Sequence, residues 1–471
     1  MIDVSDYSNV SRVFELFEEI SLIPRGSGNT RAIADYLENF AKERSLEVWR
    51  DAADNVIIRK KATKGYEERP AVILQGHTDI VAEKTLDCKI DMETEGLELY
   101  RDGDFIRARG TTLGGDDGVA VAYALALLDS NEIEHPTLEC VFTSDEEIGL
   151  IGAEALDTSP LTGKTMINID SDDEGVFTVG CAGGVRADIS LPVKRESFDG
   201  KCYNIELYGY MGGHSGVEID KGRENAIKSL GEMLATIGDI RLVSFKGGNA
   251  DNAIPRDAAA TVAVNGAFCR TAFDEVFNSY KAREAGAEYR ITECKCEALP
   301  LDRESTERVL ALLDREPTGV IAMNPDIEGL VETSLNMGIA RLEENTFELS
   351  FSIRSGRGRA KEKLVLRVKE IATELGAEFD TRGGYPAWEY KRESHLRDVM
   401  CAVYERMYGK SPVVMTIHAG LECGIFSDKI AGLDCVSMGP DNYDIHTPEE
   451  HLSISSTARV WEYLLEVLKA I

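Results

Sequence analysis

The sequence predicts an α/β fold, an open sheet covered by helices on both faces and interrupted by an inserted α+β domain. Two observations support this prediction. Strand-like and helix-like segments alternate over residues 29–170, and further segments of this kind return after residue 384. Between these two parts, the pattern of the chain changes to longer strand–helix units without dense acidic clusters.

The first part of the chain contains the elements expected of such a sheet. The predicted elements are a helix with Val10, Val13, Phe14, Phe17 and Ile20 on one face, a helix at 29–44, strands at 54–59 and 71–76, a helix at 117–129, and strands at 138–143 and 166–170. The apolar positions of the first helix recur at helical spacing. In open α/β sheets, ligands bind beyond the carboxyl ends of the strands, so polar residues that follow these strands are candidates for a site.

The middle of the chain is predicted to be an inserted domain. Stretches 202–237 and 346–376 each show a strand, a glycine-rich bend and a helix, which suggests a duplicated α+β unit. Residues 383–386 are expected to lead back to the first sheet, which would be completed by a helix at 394–408, a strand at 413–417 and a helix at 455–470. The expected division is 1–186 and 385–471 for the first domain and 187–384 for the inserted one.

Composition limits the possible functions. A chain of 471 residues is long enough for two or three domains. Its net charge of −31, from 83 acidic and 52 basic side chains, argues against nucleic acid or an anionic membrane as partner.

No apolar run approaches the roughly 18 residues of a spanning helix, and the first residues do not resemble a signal peptide. We therefore expect a cytoplasmic protein whose ten cysteines, none in a CxxC pair, are reduced thiols rather than a disulfide framework.

Histidine and acidic residues are concentrated in five short segments at strand-like positions. The segments are QGHTD with His77 and Asp79, GGDDG with Asp116, SDEE with Glu146 and Glu147, NIDSDD with Asp170, and DIHTPEE with His446. Together they offer two imidazoles, three carboxylates for metal and one further carboxylate as a base. This set suits two divalent ions that share one bridging aspartate, and hence hydrolytic chemistry.

The residues can be divided into two ligand sets. The first is Asp116, Glu147 and His446, and the second is Asp116, His77 and Asp170. Each set leaves a position for water or substrate, as catalytic zinc sites do. Glu146 is the predicted base, which would take a proton from water bridged between two zinc ions and pass it to the leaving amine.

Each motif also has a structural interpretation. His77 and Asp79 lie on one side of an extended segment, where Asp79 could orient His77 or another ligand, but such pairs are often structural. Asp116 could cap a helix instead of bridging metals. Glu146 and Glu147 are adjacent, so their side chains are expected to diverge, one toward metal and one free as a base; paired glutamates in loops are often only surface charges.

In this order, the motifs resemble the two-zinc exopeptidase family that includes glutamate carboxypeptidase, aminoacylase and the cytosolic dipeptidases. Within it, the sequence is most similar to the aminoacyl-histidine dipeptidases. The similarity extends along essentially the whole chain through IPRGSGNT (23–30), QGHTDIV (75–81), LGGDDGVAVAYALA (113–126), GCAGG (180–184), GGHSGVEI (212–219), NAIPRDA (252–258), IHAGLECGIF (417–426) and GPDNYDIHTPEE (439–450).

The resemblance implies a catalytic domain with a mixed sheet flanked by helices, an inserted lid domain, and a homodimer formed through the lid. It assigns the bridge to Asp116, the base to Glu146, and the remaining metal ligands to His77, Glu147, Asp170 and His446. It also implies that His214 stabilises the oxyanion, in its own or the partner subunit, and that Asn252 and Arg354 bind substrate, with the loop at Gly420 near the substrate's end. Without the resemblance, His214 is a loop histidine and Arg354 a surface ion-pair residue.

The resulting hypothesis is a cytoplasmic two-zinc dipeptidase acting on small peptides, Xaa-His among them. Co²⁺ or Mn²⁺ could occupy the same ligands. A tripeptidase or an N-acyl amino acid amidohydrolase with the same zinc centre is the alternative enzyme. A binding or scaffold protein that has kept the fold is the alternative outside enzymes, although neither a ligand nor the base is missing from the sequence.

Overall fold

The structure is a computed structural model that describes residues 2–266, 268, 270–325 and 327–471. The chain folds as two units, described separately below. Unit 1 comprises Met1–Gly180, Tyr390–Thr416 and Leu421–Ile471, and unit 2 comprises Cys181–Glu389 and Ile417–Gly420. The sequence placed the boundaries after residues 186 and 384 and did not anticipate that 417–420 would group with the inserted unit.

The α-helices of the described residues are five to seventeen residues long. In chain order they are Ser11–Ser21 (α1), Arg31–Glu43 (α2), Gly115–Asp129 (α3), Ile151–Ala155 (α4), Ala226–Ala235 (α5), Thr271–Lys281 (α6), Arg303–Arg315 (α7), Gly358–Glu374 (α8), His395–Tyr408 (α9), Glu422–Lys429 (α10) and Ile454–Ala470 (α11). Helix α3 is buried along nearly its whole length, in agreement with its apolar sequence.

The strands fall into two large sheets and two small ones. In chain order they are Glu47–Arg50 (β1), Val56–Lys60 (β2), Val72–His77 (β3), Leu99–Asp102 (β4), Phe105–Ala108 (β5), Leu138–Thr143 (β6), Thr165–Asn168 (β7), Val176–Cys181 (β8), Gly183–Pro192 (β9), Lys201–Tyr208 (β10), Gly213–His214 (β11), Ile240–Gly247 (β12), Ala253–Ile254 (β13), Ala258–Val264 (β14), Glu288–Cys294 (β15), Gly319–Met323 (β16), Val331–Leu342 (β17), Thr346–Ser355 (β18), Glu378–Tyr385 (β19), Val413–Ile417 (β20), Asp434–Ser437 (β21), Asn442–Tyr443 (β22) and His451–Ser453 (β23).

The first large sheet is mixed and has the strand order β1-β2-β6-β3-β7-β21-β8-β20. Its central strands β6, β3, β7 and β21 are parallel neighbours, and β1, β2 and β8 pair antiparallel. The centre of the sheet is buried on both faces: every residue of β3 and β6 is buried, in agreement with the apolar runs 72–74 and 140–142. Because these strands are parallel, their carboxyl ends meet at one edge, where His77 pairs with Thr143 and Gln75 with Asn168.

The second large sheet, in unit 2, is antiparallel, with the order β15-β10-β14-β12-β17-β18-β9-β19 and β16 beside β17. Helices α5, α6, α7 and α8 bury its one face in a single core. On β18, Phe347, Phe351 and Ile353 belong to that core. Since successive side chains of a strand point to opposite faces, Arg354 lies on the face away from the helices.

The predicted fold class is confirmed, and the predicted elements recur within a few residues of their observed bounds. The apolar face of the first helix is buried, with Val13, Phe14 and Phe17 among its core residues. Strand β20 and helices α9 and α11 return to unit 1 as expected. The duplication within the inserted unit stays a prediction.

Two features differ from expectation or were not anticipated. The structure joins Cys202 and Cys296 in a disulfide, whereas the sequence predicted reduced thiols. They are brought together because β10 lies beside β15, where Cys202 pairs with Cys294 two residues before Cys296. Strand β21, which lies between β7 and β8, was not recognised in the sequence. Among the described helices, none combines the length and apolar character that a membrane span requires.

Candidate active site

The predicted metal ligands converge at the carboxyl edge of the sheet in unit 1. His77 ends β3, and Asp170 follows β7 after one intervening residue. The Nε2 atom of His77 lies 3.8 Å from Oδ1 of Asp170. The adjacent parallel strands therefore bring together two residues that are far apart in the sequence.

Asp116 lies between the two predicted histidine ligands. Its Oδ1 is 2.9 Å from Nε2 of His77, and its Oδ2 is 3.1 Å from Nε2 of His446. Although Asp116 falls within the bounds of α3, its backbone is not helical. Each carboxylate oxygen therefore faces a different histidine, which is the orientation a bridging ligand needs.

His446 completes the second group of ligands. Its Nε2 is 3.0 Å from Oε1 of Glu147. The carboxylates of Asp116 and Glu147 raise the pKa of His446 to about 10. Burial raises the pKa of Asp170, and the neighbouring acid Asp117 adds to that rise. Because several carboxylates lie together at this site, a neighbouring positive charge is needed to offset their repulsion.

This donor set fits divalent cations. One atom each from His77, Asp116 and Asp170 lies within 4.8 Å of the others, and so does one each from Asp116, Glu147 and His446. These groups are the two ligand sets proposed from the sequence. Imidazole and carboxylate donors of this kind suit zinc and related transition metals.

Asp79 organises the turn that carries Glu146 and Glu147. Its carboxylate accepts hydrogen bonds from the backbone N–H of Glu146 at 2.9 Å and of Glu147 at 3.3 Å, and from the Ser27 hydroxyl at 2.8 Å. The nearest acceptor to Nδ1 of His77 is the backbone carbonyl of Asp79, at 3.0 Å. Asp79 therefore contacts both segments: its side chain binds the turn with Glu146 and Glu147, and its backbone carbonyl lies beside the His77 ring.

The prediction that Glu146 and Glu147 diverge is wrong. One oxygen of each carboxylate and one nitrogen of His77 lie within 4.8 Å of one another. The turn is tight, with Asp145 at a φ of 51°, and the backbone N–H groups of Glu146 and Glu147 both donate to Asp79. Burial raises the pKa of Glu146 to about 8, and such a carboxylate can take up a proton at neutral pH.

The other predicted site residues lie in unit 2. His214 ends the short strand β11, which pairs with β13. Its Nδ1 accepts the backbone N–H groups of Gly216 and Val217, both at 3.2 Å. Burial and the charge of Arg354 lower the pKa of His214, so the imidazole is neutral. The proton then lies on Nε2, which can donate a hydrogen bond to an oxyanion.

Arg354 and Gly420 meet at Tyr385. The Tyr385 hydroxyl accepts a hydrogen bond from Nη1 of Arg354 at 2.8 Å. A Cβ on Gly420 would lie 2.7 Å from the Tyr385 ring, so only glycine leaves room for it. Asn252 is exposed, and its carbonyl accepts the N–H of Ser215 at 2.8 Å, next to His214. Unit 2 thus groups all four of its predicted residues.

Comparisons with known proteins agree with this geometry. The family model of Peptidase family M20/M25/M40 matches residues 73–470. The chain belongs to this family. The cytosol non-specific dipeptidase of Escherichia coli is 36% identical over 98% of this chain and 97% of its own. The family resemblance that the sequence predicted is therefore confirmed, and the chain is a peptidase.

Solved structures are also similar to this chain. The aminoacylhistidine dipeptidase of Vibrio alginolyticus matches with a TM-score of 0.92 and 34% identity, over 99% of both chains. An aminopeptidase of Bacillus cereus matches with a TM-score of 0.58 and 17% identity, over 98% of both chains. The second similarity is evidence of a shared fold alone.

Several residues near the site have contacts that sequence reasoning missed. Arg25, Ser27 and Glu450 contact the ligand-bearing segments of unit 1, and Tyr385 contacts Arg354 in unit 2. Arg25 and Ser27 stand in the motif IPRGSGNT, which was noted only for family resemblance, and Glu450 stands in the segment DIHTPEE, which was noted for His446. A buried arginine or glutamate cannot be distinguished from a surface one by its neighbours in the sequence, so no local signal showed their contacts.

Proposed function

We propose that this protein is a metal-dependent dipeptidase that holds two divalent cations, zinc in the first instance, on His77, Asp116, Glu147, Asp170 and His446. The observation that carries the proposal is that Asp116 faces a histidine with each of its oxygens, 2.9 Å from His77 and 3.1 Å from His446. Dipeptides are proposed as substrates because the relatives from E. coli and V. alginolyticus are named as dipeptidases.

The protein's own residues divide the work of hydrolysis. Bound cations would supply Lewis acidity and lower the pKa of water to roughly 7. Glu146 takes the proton from the attacking water and delivers it to the leaving amine. Asp79 keeps Glu146 in place through the backbone N–H at 2.9 Å. His214, neutral and protonated on Nε2, donates a hydrogen bond to the oxyanion.

Substrate recognition is assigned to unit 2. A guanidinium binds a carboxylate through two parallel hydrogen bonds, so Arg354 is proposed to bind the C-terminal carboxylate of the dipeptide. Asn252 is proposed to bind the substrate through its exposed side chain, and Gly420 to leave space beside Arg354 and Tyr385. A carboxylate one residue beyond the scissile bond distinguishes dipeptides from longer peptides.

The experiment that tests the proposal compares two neighbouring glutamates. Glu146→Gln should keep its metal, while turnover of a dipeptide falls by about 10²–10⁴-fold because the base is lost. Glu147→Gln should instead lose metal, since it removes a ligand. Metal content by mass spectrometry and kcat on Xaa-His and other dipeptides measure both effects. Unchanged turnover in Glu146→Gln would refute the assignment of the base.

The substrate class is tested with the unmodified protein. A panel of dipeptides, tripeptides and N-acetyl amino acids should show the highest kcat/KM for dipeptides. Preference for tripeptides or N-acetyl amino acids would refute the substrate while leaving the metal centre intact. A preparation with two metals and no activity on any of them would indicate a binding protein.

We also propose a homodimer formed through unit 2, in a cytoplasmic protein. Met211 and Val217, large apolar residues that flank His214 in the sequence, are 63% and 56% exposed, and a partner subunit would cover them. Sedimentation equilibrium should give twice the chain mass. Met211→Glu combined with Val217→Glu should shift that mass to the monomer, and a monomeric unmodified protein would refute the proposal.

A further inference from the structure

We propose that Arg25 and Glu450 are positioning residues, each of which ties one histidine-bearing segment to the turn that carries Asp116. Arg25 would hold the His77 side of the metal centre, and Glu450 the His446 side. The inference rests on the proposed metal centre but concerns different residues, and it predicts that the two cation subsites can be weakened separately.

Glu450 binds the backbone of the turn before Asp116. Its Oε2 accepts the N–H groups of Leu113 and Gly114, both at 2.8 Å. Its Oε1 accepts the N–H of Gly115 at 2.8 Å and of Asp116 at 3.2 Å. The side chain is only 2% exposed. Four successive backbone donors on one buried carboxylate fix this turn far more firmly than a single cap would.

Glu450 is four residues from His446 and more than 300 residues from the turn that it binds. The segment that supplies a histidine to the second ligand group thus also supplies the anchor for Asp116. The distance of 3.1 Å between His446 and Asp116 depends on this short connection.

Arg25 makes the corresponding link on the His77 side. Its Nη1 donates to the carbonyl of Thr78 at 2.9 Å, and its Nη2 donates to the carbonyl of Gly114 at 2.8 Å. Thr78 directly follows His77. Arg25 is 2% exposed, and burial lowers its pKa to about 10, so it keeps its charge at neutral pH.

The two side chains meet at Gly114, whose N–H binds Glu450 and whose carbonyl binds Arg25. The packing leaves little freedom here, because a Cβ on Gly114 would lie 2.8 Å from Nη2 of Arg25 and one on Gly118 would lie 2.5 Å from it. The turn is therefore held from both sides. Loss of either side chain should weaken mainly the contact between Asp116 and the histidine on that side.

The test titrates the full-length chain, stripped of metal by a chelator, with Co²⁺ alone, followed by visible absorption and calorimetry. The unmodified protein should bind two Co²⁺; binding of fewer would contradict the proposed centre itself, whatever the variants do. Glu450→Gln and Arg25→Met should each weaken one of the two sites by about 10–100-fold, the usual effect of losing a partner of a metal ligand.

The same substitutions in a variant that keeps only one ligand group show which cation site each residue supports. His446→Ala removes one ligand group and leaves the group around His77. In that background, Arg25→Met should weaken Co²⁺ binding at the remaining site clearly more than Glu450→Gln does, because Asp116 is still held through Gly114 by Arg25. The reverse assignment, or equal weakening of both sites by each variant, would overturn the inference.

Glu139→Gln is the matched control. Glu139 is fully buried in unit 1 and accepts the N–H groups of Thr162 and Gly163 at 3.0 Å, but it contacts none of the predicted ligands. This variant should lower the melting temperature and leave both Co²⁺ affinities unchanged. If Arg25→Met does not fold, Arg25→Lys, which keeps the charge and one contact, should show a smaller loss at the same site. Normal Co²⁺ affinities in folded Arg25 and Glu450 variants would refute the proposal.

Discussion

Replacement of Tyr385 by phenylalanine should reduce the preference for substrates with a free C-terminal carboxylate. The Tyr385 hydroxyl binds Nη1 of Arg354 at 2.8 Å, and the buried Nε of Arg354 has no hydrogen-bond partner among the described residues. The hydroxyl therefore supplies much of what orients the guanidinium. A hydrogen bond to a charged group contributes about 1.5–3 kcal/mol, which corresponds to roughly 10- to 150-fold in binding.

The assay compares kcat and KM for a dipeptide and for the same dipeptide with an amidated C-terminus. In Tyr385→Phe, KM for the free acid should rise about 10-fold or more while kcat/KM for the amide changes little, because the amide does not use the charge of Arg354. Tyr289→Phe is the matched control, since it removes a hydroxyl bonded to Asp274 at the far end of the strand order. An unchanged ratio of acid to amide in Tyr385→Phe would refute the reasoning.

Three further predictions follow from the same structure. Gly420→Ala should mimic Tyr385→Phe in the acid-to-amide ratio, because its Cβ would displace the tyrosine ring that lies 2.7 Å away; a ratio equal to that of the unmodified protein would contradict this. Glu316 is fully buried, neither of its carboxylate oxygens has a hydrogen-bond partner within the described part of the chain, and burial raises its pKa from 4.5 to about 8. The folded protein favours the neutral form of the Glu316 carboxyl. This group therefore costs no folding stability below pH 4.5, and its cost increases as the pH rises from 4.5 to 8. Glu316→Gln should therefore gain stability over this range, by up to about 5 kcal/mol at alkaline pH, and urea unfolding that shows the same difference at pH 5 and pH 9 would count against it. Removal of metal by a chelator should lower the melting temperature, by the equivalent of about 2.7 kcal/mol per site at a free metal concentration of 100 Kd, and an identical melting curve would indicate that no metal stabilises the fold.

The sequence located most of the elements, and it located the histidine and acidic residues that the fold brings together, because both leave local patterns. Apolar periodicity located α1, and apolar runs located α3, β3 and β6. The segments with His77, Glu146 and Asp170 belong to strands or follow strands whose ends meet at one edge of the sheet. The prediction that His446 lies beside Asp116 rested on the family resemblance and on the number of ligands that two cations require. No local pattern links residues that are 330 positions apart.

Contacts between distant polar groups were not predictable in the same way. Glu450 could have been a surface acid beside Glu449, and only the fold brings it to the N–H groups of the Asp116 turn. The turn before Glu146 and Glu147 has Asp145 at a positive φ, a conformation that a glycine would have indicated in the sequence but an aspartate does not. Strand β21 is only four residues long and carries no histidine or acidic cluster of the kind that drew attention to β7, which is equally short.

The most direct test of the metal centre is anomalous scattering from crystals grown with zinc, with data collected on both sides of the zinc absorption edge. Two peaks about 3.5–4 Å apart are expected, one within about 2.0–2.2 Å of ligand atoms from His77 and Asp170 and the other at the same distance from Glu147 and His446, with Asp116 touching both. A single peak, or peaks away from Asp116, would contradict the account.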